Sequence, residues 1–307
     1  MSKTYLKKME YWVGDFFGNL FLTISLLTFR RLPPKALVLI ARILSPMAFY
    51  LNKKYRDRVF SNLSLALGKE KNLRERRKLA KEVFLNFTLT PLETIYMVAA
   101  PFERSVMNIK IKGRENLDAA LTKGKGVIAL GAHLGSFTML ATRLAQEGYV
   151  INIIINQSKF PKLTERLAGL QRKAGMNPFP PKPATTSVKK SLNSLRRNEI
   201  LYLIADQQQI LGGIPVPFFG QLAYTPPGPA IFSLKTGAPI LPMFVLREKG
   251  IPQTLLIGSP IEIERTFDEK KDTELLVSKF TRVIEDFVRQ YPSQWAWLNR
   301  RWKTYQK

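Results

Sequence analysis

The sequence predicts an α/β fold, a mixed and mostly parallel sheet flanked by helices. Two patterns lead to this prediction. Short apolar runs bounded by turn residues are typical of buried strands, and the clearest span residues 127–130, 149–155 and 200–205. Longer segments between them carry apolar residues at helical spacing, and strands that alternate with helices form parallel sheets.

The composition describes a globular chain without thiol chemistry. Of its 307 residues, 45% are hydrophobic and 23% are charged, which excludes a disordered protein and suffices for one sizeable domain with an appendage. The absence of cysteine excludes disulfides and thiolate metal sites, and a single histidine argues against a zinc site. We therefore expect no metal.

The charge balance is strongly basic. Lys and Arg number 48 against 23 Asp and Glu, a formal net charge of +25, and such an excess implies a polyanionic partner. The sequence contains no zinc finger and no aromatic RNA-binding motif, so we expect no nucleic-acid partner. An anionic membrane surface fits better, because each Lys or Arg near such a surface contributes about 1 kcal/mol.

Residues 1–31 are predicted to form a membrane-anchor helix. Residues 11–29 are mostly apolar and have basic residues on both sides, and they are just long enough to span a bilayer, which takes about 20 residues. Whether the helix crosses the membrane or lies in its interface stays open, because positive charge at both ends leaves the orientation ambiguous. No small-residue cleavage site follows, so we expect no cleaved signal peptide.

Residues 32–105 are predicted to be a basic helical region apposed to the membrane. An apolar helix is expected at 35–51, and two further helices at 54–67 and 73–97. Basic residues concentrate between them: Lys53, Lys54, Arg56, Arg58, Lys69, Lys71, Arg74, Arg76 and Arg77. A solvated helix face is the alternative for part of these charges.

Residues 106–307 are predicted to form the α/β domain. Its further strands are expected at 108–114, 240–246 and 253–257, and its helices at 115–121, 162–174, 186–197 and 273–291. Prolines at 178, 180, 181 and 183 predict a loop.

The sole histidine lies where a strand is followed by a helix. His133 follows the strand at 127–130, and apolar residues recur at helical spacing from about Gly135. This puts His133 at the carboxyl edge of the sheet, where open α/β sheets bind ligands. Histidine is the side chain best suited to transfer protons near neutral pH, so His133 is the candidate general base.

Several ordered blocks of the chain resemble one family. GVIALGAHLGSFTML, around His133, is similar to a His-x4-acid segment, and Asp206-Gln207 follows a strand. Pro217-Phe218-Phe219-Gly220 comes next, then Thr225, and the last block is PSQWAWLNRRW at 292–302. Together and in this order, the blocks resemble the bacterial lipid A biosynthesis acyltransferases over nearly the whole chain.

The resemblance implies a fold like that of the glycerol-phosphate acyltransferases, and an activity. Family members move an acyl chain from acyl carrier protein to a hydroxyl of a lipid A precursor, at the cytoplasmic face of the bacterial inner membrane. This implies an acidic acyl carrier protein (or acyl-CoA) as donor, an anionic glycolipid as acceptor and no dissociable cofactor. We expect a monomer. Backbone amides at the start of the predicted helix 135–144 would donate to the oxyanion.

One position departs from the family pattern. Thr138 stands five residues after His133, where the family has an acid that fixes the tautomer of the base and stabilises its imidazolium. Another carboxylate can supply the charge, Asp206 being the first choice and Glu93 the second. Alternatively, Thr138 supports slow turnover as a hydrogen-bond partner of His133. The third alternative is a protein that has lost the chemistry and binds lipid without transforming it.

The resemblance also implies a set of substrate-binding residues: Glu93, Arg172, Gln207, Phe218, Phe219, Thr225, Arg300 and Arg301. Structural alternatives accompany them. The two phenylalanines are more often core residues than the wall of an acyl-chain pocket, and Arg172 can be a solvated helix residue. The tryptophans of the last block are typical of core packing or of a membrane interface, and Asp206 can cap a turn.

Overall fold

A computed structural model describes residues 3–101, 106, 108–155, 160–248, 253–266 and 268–302, with side chains from residue 12 onward. The predicted boundary at residue 105 falls outside the described residues. The division into an anchor helix, a basic region and an α/β domain therefore stays a prediction.

Within the described residues, four helices precede the sheet: α1 (Lys3–Arg31), α2 (Pro34–Leu51), α3 (Lys53–Leu67) and α4 (Leu73–Ala99). Local sequence explains where they begin. Pro34 occupies the first position of α2, where no backbone donor is needed. The Asn52 side chain caps α3, and Asn72 forms a reciprocal capping box with Glu75 at the start of α4. The predicted helices are confirmed to within a few residues.

The main sheet contains seven strands among the described residues. They are β1 (Lys110–Lys112), β2 (Val127–Gly131), β3 (Ile151–Ile154), β4 (Met176–Phe179), β5 (Ile200–Ile204), β8 (Ile240–Arg247) and β9 (Gln253–Ile257), while β6 (Ile214–Phe218) and β7 (Gln221–Thr225) form a separate antiparallel hairpin. The order across the sheet is β1-β9-β8-β2-β5-β3-β4, and only the β8–β9 pair is antiparallel. The predicted mixed, mostly parallel sheet is confirmed.

Three of these strands, β4, β6 and β7, were not predicted from the sequence. Strand β4 contains Pro178, and β6 contains Pro215 and Pro217, residues that usually indicate loops. Both strands tolerate proline because β4 lies at the edge of the main sheet and the hairpin has only edge strands.

The helices of this part of the chain are α5 (Arg114–Leu121), α6 (Met139–Gln146), α7 (Pro161–Lys173), α8 (Ala184–Arg196), α9 (Gly228–Thr236) and α10 (Glu269–Gln290). They cover both faces of the sheet, because successive side chains of a strand point to opposite sides. On one side Val127 and Ala129 of β2 pack in a cluster with Leu140 of α6. On the other, Ile128 packs in a cluster with Phe280 of α10.

Helices α1 and α2 present apolar side chains to the outside. Phe17 and Phe21 of α1 are 62% and 68% exposed, and Met47 and Leu51 of α2 are 53% and 79% exposed. Both helices are long and apolar enough to cross a membrane. Two helices, rather than the one that was predicted, are thus able to serve as an anchor.

Helix α1 also contacts α7 through polar groups. The Asp15 carboxylate accepts a hydrogen bond from the backbone N–H of Leu163, in the first turn of α7, at 3.0 Å. Arg166 of α7 donates to the carbonyl of Asn19 at 2.9 Å and to the hydroxyl of Thr23 at 2.8 Å. One side of α1 is therefore fixed to the α/β part while its apolar side stays exposed.

Candidate functional site

A turn of residues 132–138 joins β2 to α6. The predicted helix from Gly135 is wrong in its first turn, because α6 begins at Met139. Gly135 has a φ of +62°, in the left-handed region that glycine adopts without strain. Its N–H donates to the carbonyl of Gln294 at 3.0 Å rather than to a helical partner.

Two neighbouring elements fix this turn. The N–H of Ser136 donates to the carbonyl of Val245 in β8 at 2.8 Å. The carbonyl of His133 accepts from the N–H of Ala296 at 2.9 Å, beside a β-bridge between Leu134 and Trp295. The conformation around His133 therefore depends on tertiary contacts that no local pattern predicts.

The carboxylate of Asp206 contacts His133. Strands β2 and β5 are parallel neighbours, so the residues that follow them meet at one edge of the sheet. Nδ1 of His133 lies 2.7 Å from Oδ1 of Asp206. Oδ2 accepts from the backbone N–H of His133 at 2.8 Å and from Nε1 of Trp295 at 2.7 Å. Asp206 is buried, and three donors thus fix its orientation.

The electrostatics of this pair favour the charged carboxylate. Burial alone would raise the pKa of Asp206, but the charge of His133 and the hydrogen bonds from His133 and Trp295 outweigh it, so the pKa lies below its usual value. For His133 the direction is opposite: burial alone would lower its pKa. The charge of Asp206 and the hydrogen bond to it outweigh burial, so the pKa of His133 lies above its usual value of 6.5. Asp206 therefore stabilises the imidazolium that forms when His133 takes up a proton.

The second ring nitrogen of His133 is held by a neutral side chain. Nε2 lies 3.2 Å from Nε2 of Gln207, an amide nitrogen that can only donate. Both contacts of the ring fit the tautomer that carries its proton on Nδ1. This tautomer puts the lone pair on Nε2, where it accepts from Gln207, and that contact must be exchanged before Nε2 can take up a proton from another group.

The side chain of Arg301 holds the backbone of Gln207 in place. Its guanidinium donates to the Gln207 carbonyl at 3.4 Å and to Thr225 Oγ1 at 2.7 Å, and it lies 4.7 Å from the centre of the Phe218 ring. Burial lowers the pKa of Arg301 to about 10, and the charge of Asp206 opposes that shift. Arg301 and Thr225 are both buried, so they act as structural support for the residues beside His133.

A cavity of about 410 Å³ lies beside His133, within the size range of ligand sites. Helix α4, the 132–138 turn and the 292–302 segment form its walls. The lining residues are Asn86, Phe87, Thr90, Pro91, Thr94, Ile95, His133, Gly135, Phe137, Thr138, Gln294, Trp295, Ala296 and Asn299. Within the described residues, no group of three or more His, Cys, Asp or Glu side chains could hold a metal ion.

Thr138 and Glu93, the other candidate partners of His133, have different contacts. Thr138 Oγ1 lies 2.8 Å from Thr94 Oγ1. Glu93 is buried; it accepts from the Ser136 hydroxyl at 2.8 Å and forms an ion pair with Arg247. In the described part of the chain Asp206 is thus the carboxylate on the His133 ring, the first of the predicted substitutes for the motif acid.

The remaining predicted residues lie away from the cavity. The rings of Phe218 and Phe219 are buried and pack against each other and against the tryptophans of the 292–302 segment. They belong to the core, the alternative considered for them above. Arg172 and Arg300 are exposed and are not among the cavity's lining residues.

Sequence reasoning missed two contributions to the site. The cavity wall formed by α4 was not predicted, although threonines at 90 and 94 lie one turn apart and share a face. Trp295 was assigned to the core or the membrane interface, whereas its indole N–H donates to Asp206. The available signal was the QWAW block at 294–297, because it belongs to the ordered set of family-like blocks that also includes His133 and Asp206.

The backbone amides of the turn differ in whether they already donate a hydrogen bond, which decides which of them fit the predicted role of oxyanion donor. Those of Gly135 and Ser136 donate to carbonyls, which removes the first amides of the predicted helix from this role. The N–H groups of Phe137 and Thr138 have no hydrogen-bond partner among the residues that the structure describes. Both residues line the cavity.

Comparison with known proteins gives one consistent family. Residues 2–304 match the family model described as bacterial lipid A biosynthesis acyltransferase. The phosphatidylinositol mannoside acyltransferase of Mycobacterium tuberculosis is 29% identical over 193 residues, 62% of this chain and 59% of the relative. The chain thus spans about three fifths of that relative's length.

Two relatives from Escherichia coli strain K12 match over more of their length. The lipid A biosynthesis palmitoleoyltransferase is 22% identical over 300 residues, 96% of this chain and 92% of the relative. The lipid A biosynthesis lauroyltransferase is 22% identical over 263 residues, 85% and 83% of the two chains. With a family model that matches nearly all of it and an ordered set of motifs around His133, the chain belongs to the bacterial lipid A biosynthesis acyltransferase family.

Proposed function

We propose that the protein is an O-acyltransferase that moves a fatty acyl chain from acyl carrier protein to a hydroxyl of a lipid A-type glycolipid. Family membership and the names of the relatives support acyl transfer to a glycolipid. The observation that carries the proposal is the His133–Asp206 pair, with Nδ1 bound to the carboxylate at 2.7 Å beside a cavity.

The chemistry follows from the two ring nitrogens of His133. Nε2 takes the proton of the acceptor hydroxyl as its oxygen attacks the thioester carbonyl. The C–S bond then breaks, an ester forms, and the proton passes from Nε2 to the departing thiolate sulfur. Asp206 keeps Nδ1 protonated and stabilises the imidazolium between these steps.

Backbone N–H groups would supply the second catalytic contribution, the stabilisation of the oxyanion. A tetrahedral oxyanion forms when the hydroxyl attacks, and donors aimed at it are usually the largest single contribution to such catalysis. The amides of Phe137 and Thr138 are the candidates, since they lack other partners among the described residues and line the same cavity as His133. The reaction uses no metal and no dissociable cofactor in this scheme.

Charge and the N-terminal helices support the proposed partners and location. A net charge of +25 suits an acidic acyl carrier protein and an anionic glycolipid; acyl-CoA is the alternative donor. The exposed apolar sides of α1 and α2 support attachment to a membrane, which we propose is the cytoplasmic face of the bacterial inner membrane.

The alternative of a lipid-binding protein without catalysis rested on Thr138. The contact between Asp206 and Nδ1 of His133 weakens the reason for that alternative, because Asp206 can perform the role of the missing motif acid. Transfer to a different glycolipid or phospholipid head group is the other alternative, and the acceptors of the experiment below distinguish it.

The decisive experiment is acyl transfer by the detergent-purified full chain. Acyl carrier protein thioesters of several chain lengths are incubated with a tetra-acylated lipid A precursor or with an uncharged glycolipid, and the lipid product is weighed by mass spectrometry. We expect a gain of one acyl chain, which is absent with His133→Ala. No gain with any donor and acceptor would contradict the proposal, and an unchanged rate in His133→Ala would exclude the proposed base.

A further inference from the structure

The two N–H groups proposed as oxyanion donors belong to peptide units whose carbonyls are already held. A trans peptide is planar, and its C=O and N–H point in opposite directions. A hydrogen bond to the carbonyl therefore also fixes the direction of the N–H. The carbonyl of Ser136 shares a peptide unit with the N–H of Phe137, and it accepts from the N–H of Met139 at 2.8 Å. The backbone alone thus fixes the first of the two donors.

The second peptide unit is held by one side chain. The carbonyl of Phe137 accepts a hydrogen bond from the hydroxyl of Tyr202, in β5, at 3.1 Å. The N–H of the same peptide unit is that of Thr138, so it points away from this hydroxyl. Thr138 lines the cavity, whereas Tyr202 is buried and is not among the lining residues. The hydroxyl of Tyr202 therefore fixes the direction of the Thr138 N–H from outside the cavity.

The neighbouring strand leaves room for the Tyr202 ring. A Cβ atom at Gly131, in β2, would lie 2.6 Å from the hydroxyl oxygen of Tyr202. The φ of Gly131 lies outside the left-handed region, since Gly131 is not one of the glycines with a positive φ. Its backbone angle therefore does not require glycine, but the space taken by the ring does. Two residues on adjacent strands thus combine to bring one hydroxyl to the Phe137 carbonyl.

The surroundings keep this hydroxyl protonated. Burial raises the pKa of Tyr202, and the charge of Asp206 raises it further. The phenol therefore stays neutral throughout the pH range in which a histidine base works, and it keeps its proton to donate to the carbonyl.

We propose that Tyr202 is a positioning residue for the oxyanion: by holding the Phe137 carbonyl, it aims the Thr138 N–H at the oxygen that becomes negative in the tetrahedral intermediate. Strand β5 then serves both parts of the reaction, because Asp206 follows the same strand and contacts His133. The inference rests on the proposed function and adds the group that fixes one of its oxyanion donors.

The first test is Tyr202→Phe in the detergent-purified full chain, which keeps the ring and removes the hydroxyl. We expect kcat to fall by roughly 3- to 10-fold, as for one lost hydrogen bond. The KM for both substrates should stay unchanged, because the oxyanion donors act on the transition state. The acid limb of kcat/KM should also stay in place, since the contacts between His133 and Asp206 are retained. A wild-type kcat would overturn the proposal, and so would a moved acid limb, because Tyr202 would then act through the base.

The matched control is Tyr149→Phe. It also removes a tyrosine hydroxyl that forms hydrogen bonds, with Asp118 and Arg114, but Tyr149 does not line the cavity. Its kinetics should therefore match the wild type.

The second test compares two ligands by calorimetry and needs no turnover. A long-chain alkyl trifluoromethyl ketone is hydrated in water to a tetrahedral diol, while the methyl ketone of the same chain length stays planar. The wild type should bind the tetrahedral ligand more tightly. Tyr202→Phe should reduce that preference by roughly 3- to 10-fold and bind the methyl ketone as the wild type does. The preference is a ratio within one protein sample, so a smaller folded fraction does not change it.

The two tests separate this inference from the proposed function. If no acyl transfer is found with any donor and acceptor but Tyr202→Phe reduces the preference for the tetrahedral ligand, the proposed function fails and the role of Tyr202 stands. If transfer occurs and Tyr202→Phe changes neither kcat nor the preference, the role of Tyr202 is wrong and the transferase stands. An unchanged preference would overturn the proposal even if kcat fell, since the hydroxyl would then act in another way.

Discussion

The side chains and backbone around Asp206 fix the position of its carboxylate. Three donors, two from His133 and one from Trp295, converge on one buried carboxylate. Such a carboxylate stays ionised and cannot rotate, because each alternative position breaks a hydrogen bond. The ring of His133 is held in one tautomer as a result.

Asp206→Asn should reduce kcat by about 10²- to 10⁴-fold, because a neutral amide neither stabilises the imidazolium nor enforces the tautomer. The KM for the acceptor should change little, since Asp206 does not line the cavity. Steady-state kinetics with both substrates measure this. Asp286→Asn, which removes an exposed carboxylate on α10, is the control and should retain wild-type rates. A wild-type kcat in Asp206→Asn would return the role to Thr138.

The pH dependence should report the same pair. A base must be neutral to accept a proton, and the pKa of His133 is raised above 6.5 by the net effect of burial and Asp206. The acid limb of kcat/KM should therefore lie above pH 6.5. In Asp206→Asn the opposing effect of burial remains, so the limb should move to lower pH. A limb that does not move would show that another group titrates.

The sequence predicted part of this arrangement, and the limit has a physical cause. His133 was found because a short continuous apolar run, typical of a buried strand, and a run at helical spacing meet beside it. Asp206 was predicted as the first alternative because it also follows a strand, and parallel strands end at one edge. Thr138 was expected to be able to bind His133, but its partner is Thr94 on α4, and how α4 packs on the turn is a tertiary contact with no local signal.

Among the turns and helices, residues 132–138 show how neighbours override local pattern. Apolar residues recur from Gly135 as in a helix, yet the first residues of the segment donate to β8 and to the 292–302 segment. A Cβ atom at Gly135 would lie 2.0 Å from the carbonyl oxygen of Val245. Glycine is therefore required here both for its backbone angle and for its size.

Gly135→Ala should destabilise the protein markedly more than Gly124→Ala. Both glycines have a positive φ, +62° and +68°, but nothing lies within 4 Å of a Cβ at Gly124. The control should cost about 1 kcal/mol for its left-handed backbone alone, and Gly135→Ala should cost at least twice that and also lower activity. Urea unfolding of the two variants measures the difference. Equal costs would mean that the close approach to β8 is absent in solution.

The contact between α1 and α7 depends on small residues as well as on Asp15. A Cβ at Gly14 would lie 2.1 Å from the ring of Phe160. Gly14→Leu should separate the helices at a cost of roughly 1–3 kcal/mol and expose α1 to chymotrypsin, which limited digestion in detergent measures. Gly169→Leu, on α7 with nothing within 4 Å, should leave the cleavage rate unchanged. Unchanged cleavage of Gly14→Leu would show that the contact does not hold α1.

At the scale of the whole molecule, a net charge of +25 accompanies exposed apolar side chains on α1 and α2, and both features favour binding to an anionic membrane. The chain should bind vesicles that contain anionic lipid, more weakly as salt rises because screening removes the charge contribution. Replacing Phe17 and Phe21 by serine should weaken binding at least about tenfold, measured by co-sedimentation. Serine at Leu211 and Leu222, exposed at 82% and 60% beyond the N-terminal helices, should have no such effect. Equal loss in both pairs would indicate a general loss of folding.

The hydrogen bond from Trp295 to Asp206 has a consequence for the order of biosynthesis. The two residues are 89 positions apart, so at about 5–20 residues per second the ribosome adds the indole roughly 4 to 18 s after the carboxylate. Helices α1 and α2 are made first, so the proposed membrane attachment can be established before Trp295 is added. On that proposal, the His133–Asp206 pair receives its third hydrogen-bond donor only after the N-terminal helices have reached the membrane.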